Sequence, residues 1–251
     1  MNQIFNVILI SFLAGVVGTC IGGLVIVLFE RPKEVFFHTL TGFAAGVMLA
    51  ITCFSLIPQA VIEGSKSLMF NGFLGGIVIF VLLDIIISHA HMSGEKNEDA
   101  SSDKIIKIEK MGLLLAIGIS IHDFPEGLAI GSGFSARPEL GITIGILIGL
   151  HHIAEGLAVA APIYACGISK ISTMFWCFLI SLPMVAGAVI GFLISEVSKS
   201  AISICLGFAA GAMFFVTCDE LIPECHMETE KYGHIPILSI VVGFIIGLLL
   251  T

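Results

Sequence analysis

Eight long apolar segments constrain this 251-residue chain more than any other feature. Each is close to the roughly 20 residues that an α-helix needs to cross the hydrocarbon core of a bilayer. They lie near residues 4–29, 36–58, 68–88, 111–132, 139–163, 171–195, 201–223 and 235–251. We therefore predict an all-α polytopic membrane protein with eight transmembrane helices, called spans 1 to 8, which form one domain over residues 1–251.

The composition excludes several other classes of protein. Charged residues make up only 12% of the chain, about half their share in soluble domains. This excludes a disordered chain, a nucleic-acid-binding protein and an ordinary soluble enzyme. The apolar runs are continuous rather than alternating, which excludes an outer-membrane barrel. The longest polar segment, at about residues 89–110, is predicted to be a mobile loop.

The positive charges indicate an orientation in the lipid bilayer. Of the 11 Lys and Arg residues, eight follow spans 1, 3, 5 and 7, and three follow spans 2, 4 and 6. Cytoplasmic loops of membrane proteins carry an excess of these residues. We therefore expect the 89–110 loop to be cytoplasmic and both termini to lie outside the cell.

Two segments of the chain resemble each other. Residues 42–60 in span 2 and 207–225 in span 7 are identical at 11 of 19 positions without a gap. Since these spans are five apart, they cross the membrane in opposite directions, as in the inverted repeats of secondary transporters. We predict that spans 1–3 and 6–8 form an inverted repeat around a central pair, spans 4 and 5.

The central pair carries ionisable side chains in the middle of its apolar segments: His122, Asp123 and Glu126 in span 4, and His151, His152 and Glu155 in span 5. In each span one His and one Glu are four residues apart, so they share a helix face. Ionisable groups at membrane depth usually mark a site or a pathway. No Lys or Arg lies within a span to neutralise the acids. Imidazoles with carboxylates therefore predict a divalent-metal site suited to zinc or a similar ion.

These residues resemble the motifs of the ZIP (Zrt/Irt-like) family of divalent metal transporters, and most closely its bacterial ZupT-like branch. Residues 122–127, HDFPEG, resemble the family motif HNxPEG, and residues 151–156, HHIAEG, resemble its partner motif. Residues 219–223, DELIP, resemble the seventh span of that branch. The resemblance covers the whole chain. It implies a bacterial plasma membrane protein that imports zinc, with iron, cobalt, cadmium or manganese as further substrates.

The resemblance also implies two adjacent metal positions bridged by Glu126 and Glu155. His122 and His151 would complete the first position, and Asp123 and His152 the second. In span 4, this sequence has Asp123 where the family has Asn. In span 5 it has His152 where the family has Asn or Asp, and in span 6 it has Met184 where close relatives have Glu. The metal would be the transported substrate, so no cofactor and no enzymatic activity are expected. The oligomeric state stays open, with a homodimer as one alternative.

Further residues are candidates for the ion pathway because they lie near the site or at the ends of spans: Gln59, Glu63, Asp84, His89, His91, Met184, Asp219, Glu220, Glu224 and His226. Gln59 and Glu63 would collect cations outside, and the acids of span 7 would release them into the cytoplasm. Two rival functions remain open at this level. They are an intramembrane zinc-dependent hydrolase, for which the motif HExxH is absent, and a metal exporter on the same scaffold.

Overall fold

A computed structural model of the chain describes residues 2–29, 34–94, 123–165, 167–226 and 233–251. The residues in these ranges form helices and no β-strand. Numbered in chain order, α1 comprises Asn2–Ser11, Phe12–Val17 and Gly18–Phe29; α2 comprises Glu34–Ala50, Ile51–Leu56 and Ile57–Glu63; α3 is Lys66–Gly94; α4 is 123–136; α5 is Pro138–Ala165; α6 comprises Lys170–Ile180 and Leu182–Ser195; α7 comprises Lys199–Val216, Thr217–Leu221 and Ile222–His226; α8 is Ile235–Leu250.

Six of these helices are long and apolar enough to cross a membrane: Gln3–Phe29, His38–Glu63, Lys66–Ile85, Pro138–Ala161, Lys170–Ser195 and Lys199–Asp219. Helix α8 is apolar but shorter, and α4 is described only from residue 123 onward. The predicted all-helical membrane architecture is confirmed in this form. Helix α3 continues to Gly94, past the predicted end of span 3, and residues 95–110 of the predicted loop lie outside the described ranges.

Proline shapes the backbone of α2 and α7 at matching places. Each helix contains a π-helical turn, Ile51–Leu56 in α2 and Thr217–Leu221 in α7. Pro58 and Pro223 follow these turns two residues later. The proline ring clashes with the carbonyl group four residues before it and donates no hydrogen bond, so a widened turn relieves the conflict. The repeated sequence thus produces the same local distortion twice.

Glycine brings α2 against α8 and α7 against α3. A Cβ atom at Gly46 of α2 would overlap the carbonyl oxygen of Ile240 in α8. A Cβ at Gly211 of α7 would overlap that of Phe73 in α3 in the same way. Gly46 and Gly211 occupy equivalent positions of the sequence repeat. Small residues allow helices in a membrane to approach this closely.

The partner helices reciprocate with glycines of their own. Gly243 of α8 faces the carbonyl oxygen of Phe43 in α2, and Gly76 of α3 faces that of Phe208 in α7. Phe43 and Phe208 are again equivalent in the repeat. The two helix pairs therefore meet in the same register from both sides.

The remaining helices pack around α4 and α5 by the same device. A Cβ at Gly127 of α4 would overlap the carbonyl oxygen of Met184 in α6, and one at Gly156 of α5 would overlap that of Thr19 in α1. In α6, Pro183 interrupts the helix at Ser181, whose hydroxyl donates to the carbonyl oxygen of Cys177 (2.9 Å). Helices α1, α4, α5 and α6 together bring the ionisable residues into the interior.

Candidate metal site

Five ionisable side chains of α4 and α5 converge in the interior of the helix bundle. Asp123 and Glu126 lie on α4, and His151, His152 and Glu155 on α5. All are buried, and the most exposed of them, Glu155, retains 7% of its surface. Burial of charge is costly unless it is paired or bound to a metal. Burial of this cluster therefore costs folding free energy.

The imidazole of His152 lies between the two glutamates. Its Nε2 atom is 2.8 Å from Oε2 of Glu126, and its Nδ1 atom is 2.9 Å from Oε2 of Glu155. The hydroxyl oxygen of Thr19 in α1 lies 3.0 Å from the same Nδ1 atom. Both ring nitrogens are thus in hydrogen-bonding range of oxygen atoms, and one ring links α1, α4 and α5.

His151 approaches the same two carboxylates from farther away. Its Nε2 atom lies 3.5 Å from Oε1 of Glu126 and 3.6 Å from Oε2 of Glu155. The rings of His151 and His152 meet edge to face, with centroids 5.5 Å apart. Each glutamate therefore has two imidazoles as neighbours, which suits a carboxylate that bridges two metal ions.

The donor atoms are close enough to share one cation. One ligand atom each from Asp123, His152 and Glu155 lies within 4.8 Å of the other two. Imidazole nitrogen and carboxylate oxygen are the usual ligands of Zn²⁺ apart from thiolate, and they also suit other divalent transition metals. A bound cation would neutralise the buried acids.

The structure brings together five of the six predicted ligands, while His122 lies outside the described residues. Met184 is fully buried in α6, and a Cβ at Gly15 of α1 would lie 2.5 Å from its sulfur. Asp84 and Asp219 are exposed on the molecular surface. The side chains of the other pathway candidates on α3 and α7 are not described: His89, His91, Glu220, Glu224 and His226.

Gln59 and Glu63 form a hydrogen-bonded chain with Arg137 at one end of the bundle. Arg137, between α4 and α5, donates from Nη2 to Oε1 of Gln59 (2.9 Å), and Gln59 donates from Nε2 to Oε1 of Glu63 (2.7 Å). In the sequence, Arg137 is recognisable only as one of the three positive charges that follow spans 2, 4 and 6. Its contact depends on the helix ends meeting in space, for which the sequence carries no local signal.

Like Arg137, Thr19 was not among the residues predicted from the sequence. It lies among Gly15, Gly18 and Gly22 of an apolar helix, and glycines at helical spacing mark a face of close packing. A hydroxyl on such a face is a usable signal for a polar contact with the neighbouring helix. The identity of that neighbour cannot be read from the sequence.

The fold and this cluster define a class: an integral membrane protein of bundled helices with a buried site of histidines and carboxylates. Comparison with known proteins agrees. Residues 87–251 match the model of the family described as ZIP zinc transporter. The zinc transporter ZupT of Chlorobium limicola is 34% identical over 261 residues, covering 97% of this chain and 96% of its own length.

Two further relatives bear the same name. ZupT of Escherichia fergusonii is 35% identical over 220 residues (86% of this chain and 85% of its own length). ZupT of Streptococcus mutans is 33% identical over 258 residues (98% and 96%). The chain belongs to the ZIP family. The bacterial relatives and the apolar helices identify an integral protein of the bacterial cell membrane.

Proposed function

We propose that the chain carries zinc and related divalent metal ions across the cell membrane into the cytoplasm, through the cluster on α4 and α5. The main support for this proposal is that the ring nitrogens of the buried His152 lie within 2.9 Å of carboxylate oxygens of both Glu126 and Glu155. Metal-binding groups within an apolar bundle mark an ion pathway. The relatives named zinc transporter ZupT support zinc as the substrate.

The proposed site contains two metal positions that share Glu126 and Glu155. His122 and His151 complete one position, and Asp123 and His152 complete the other. The short distances among Asp123, His152 and Glu155 support the second position. The chain's histidine at position 152 adds a nitrogen ligand there. We expect this to favour zinc, iron(II), cobalt and cadmium over magnesium and calcium, because hard cations prefer oxygen.

The proposed topology has eight spans, with α4 and α8 crossing the membrane beside the six longer helices and both termini outside. Spans 1–3 and 6–8 form an inverted repeat around spans 4 and 5. The matched packing of Gly46 and Gly211 and the matched π-helical turns of α2 and α7 support the repeat. Inverted repeats allow the two sides of a site to open alternately.

The two copies differ in charge where they flank the proposed pathway. Where α2 has Phe54, Ser55 and Gln59, α7 has Asp219, Glu220 and Glu224. We propose that the uncharged copy lines the outer entry, with Arg137 closing it through Gln59, and that the acidic copy receives metal on the cytoplasmic side. A gradient of negative charge would then favour inward movement of a cation.

The rival functions are less well supported. A zinc hydrolase keeps an open position with an activated water and a general base, whereas the relatives that match over most of this chain are named as transporters. An exporter would use the same site with the opposite direction of flux. Uptake measurements separate all three functions.

The test is zinc uptake by vesicles that contain the purified full-length protein. We expect zinc to enter faster than in protein-free vesicles, and an equal concentration of magnesium not to compete. Uptake equal to that of protein-free vesicles would refute transport. Loss of zinc from loaded cells on expression would favour the exporter.

Cys53 and Cys218 test the proposed alternation, because both are exposed and equivalent in the repeat. Two variants each keep one of these cysteines, with the other six replaced by Ser. We expect zinc to change their labelling by a membrane-impermeant thiol reagent, applied from outside and inside respectively, in opposite directions. Parallel changes would mean that the repeat does not alternate.

A further inference from the structure

Several buried hydroxyl residues bond another helix, among them Ser132, Ser195 and Ser203, but the partner of Thr19 is a histidine of the ionisable cluster. Ser11, Thr173 and Thr217 donate to carbonyl oxygens of their own helices, three or four residues earlier. Such bonds are the usual way to satisfy a hydroxyl in an apolar helix. The hydroxyl of Thr19 instead meets Nδ1 of His152 on another helix, at 3.0 Å, and neither residue has any exposed surface.

The glycines of α1 and α5 make this contact geometrically possible. A Cβ at Gly18 would lie 2.8 Å from Cβ of His152, and one at Gly22 would overlap the carbonyl oxygen of Ile153. Gly156 of α5 faces the carbonyl oxygen of Thr19 itself. The π-helical turn Phe12–Val17 directly precedes this segment, and such turns change the face that later residues present. Backbone packing thus holds the hydroxyl against the ring.

The ring of His152 has two oxygen neighbours on its Nδ1 side. One is the hydroxyl of Thr19, and the other is Oε2 of Glu155 at 2.9 Å. When Glu155 binds a metal ion, its oxygen is engaged by the cation and becomes a poorer acceptor. The hydroxyl of Thr19 then remains to accept the Nδ1–H hydrogen bond. This leaves the lone pair of Nε2 directed toward Glu126 and the cation.

We propose that Thr19 is a positioning residue of the metal site: its hydroxyl accepts the hydrogen bond from Nδ1–H of His152 and holds the ring so that Nε2 is presented as a metal ligand. The proposal rests on the proposed function and deepens it. Histidines that bind metals usually donate the other ring N–H to such a partner, and removing the partner weakens metal binding by about 10- to 100-fold. The hydroxyl supplies that partner without adding charge to an already acidic site.

The test measures cobalt(II) binding to the purified full-length protein at fixed pH, because cobalt reports its ligands through visible absorption whereas zinc is silent. Thr19→Val keeps the shape of the side chain and removes the hydroxyl, and Thr19→Ser keeps the hydroxyl. We expect Thr19→Val to raise the cobalt dissociation constant about tenfold and to alter the absorption bands, and Thr19→Ser to restore both. Thr173→Val, a buried hydroxyl that bonds its own helix, is the control and should match the wild type.

His152→Ala distinguishes the proposed metal site from the proposed role of Thr19. If His152→Ala binds cobalt as the wild type does, the proposed metal site is wrong. If His152→Ala weakens binding but Thr19→Val does not, only the positioning role is refuted. In the His152→Ala background, Thr19→Val should have no further effect. A Thr19→Ser variant as weak as Thr19→Val would also overturn the proposal, because packing rather than the hydroxyl would then be responsible. Should Thr19→Val not purify as a folded protein, Thr19→Ala decides the same question.

Discussion

The bundle uses the same contact, a glycine against a carbonyl oxygen, in two regions with different results. Between α2 and α8, and between α3 and α7, the contact joins backbones in matching register, as Gly243 and Gly76 illustrate. Between α1 and α5 it also brings the hydroxyl of Thr19 to His152. Close packing of helices is therefore a general device in this fold, and the side chains beside the glycines decide whether a scaffold or a binding site results.

The largest expected effect is at the shared carboxylates. Glu126→Ala and Glu155→Ala should each reduce zinc uptake to the rate of protein-free vesicles, because each removes a charge that both proposed metal positions share. Helix content and chromatographic behaviour should stay normal. The matched control is Glu139→Gln, which alters an exposed acid on the first turn of α5. Wild-type uptake by Glu126→Ala would contradict the shared-ligand model.

Substitutions at the glycine contacts of α8 with α2 and of α3 with α7 should lower the stability of the protein rather than its zinc binding. Gly76→Ala and Gly243→Ala each place a methyl group against a carbonyl oxygen, and overpacking costs about 1–3 kcal/mol. Gly75→Ala is the matched control, because its Cβ would lie 4.0 Å from the nearest atom, Cδ2 of Phe208. Thermal unfolding in detergent measures all three. A large loss of stability at Gly76 with none at Gly243 would show that the α3–α7 and α2–α8 contacts are not equivalent.

Within the site, the two histidines should differ. His152→Ala is expected to weaken zinc binding more than His151→Ala, by about tenfold in dissociation constant or 1.4 kcal/mol. The reason is distance: His152 lies within 2.9 Å of both glutamates, whereas His151 lies 3.5 Å and 3.6 Å away. Isothermal titration with zinc measures both constants. Equal losses would show that metal binding rearranges the rings.

A further effect is expected from pH. Metal ligands must give up their protons, so zinc and protons compete for the site. Lowering the pH from about 8 to about 5 protonates histidine and should therefore raise the zinc dissociation constant, while helix content measured by circular dichroism stays constant. A dissociation constant that is flat over this range would show that the site releases no protons when zinc binds.

Much of the site was predictable because its signal is local. The spacing of His151 and Glu155 along one helix follows from the helical repeat, and membrane burial follows from the surrounding apolar residues. The position of Thr19 was not predictable in this way. Its contact with His152 joins residues 133 positions apart and depends on three-dimensional packing through Gly18 and Gly22.

The fold shows the same division between local and distant information. Apolar length predicted the helices, and the sequence repeat predicted that α2 and α7 are related. The π-helical turns before Pro58 and Pro223 were not predicted, because proline can also kink or end a helix. Neighbouring helices decide which of these outcomes occurs.

X-ray absorption at the zinc edge, on the full-length protein loaded with zinc, identifies the atoms that bind the metal. The chain has seven cysteines, so thiolates are the natural competitors of the histidine and carboxylate ligands. We expect nitrogen and oxygen neighbours at about 2.0–2.2 Å, with scattering from imidazole. A shell of sulfur at about 2.3 Å would place the zinc on cysteine and contradict the assignment of the site.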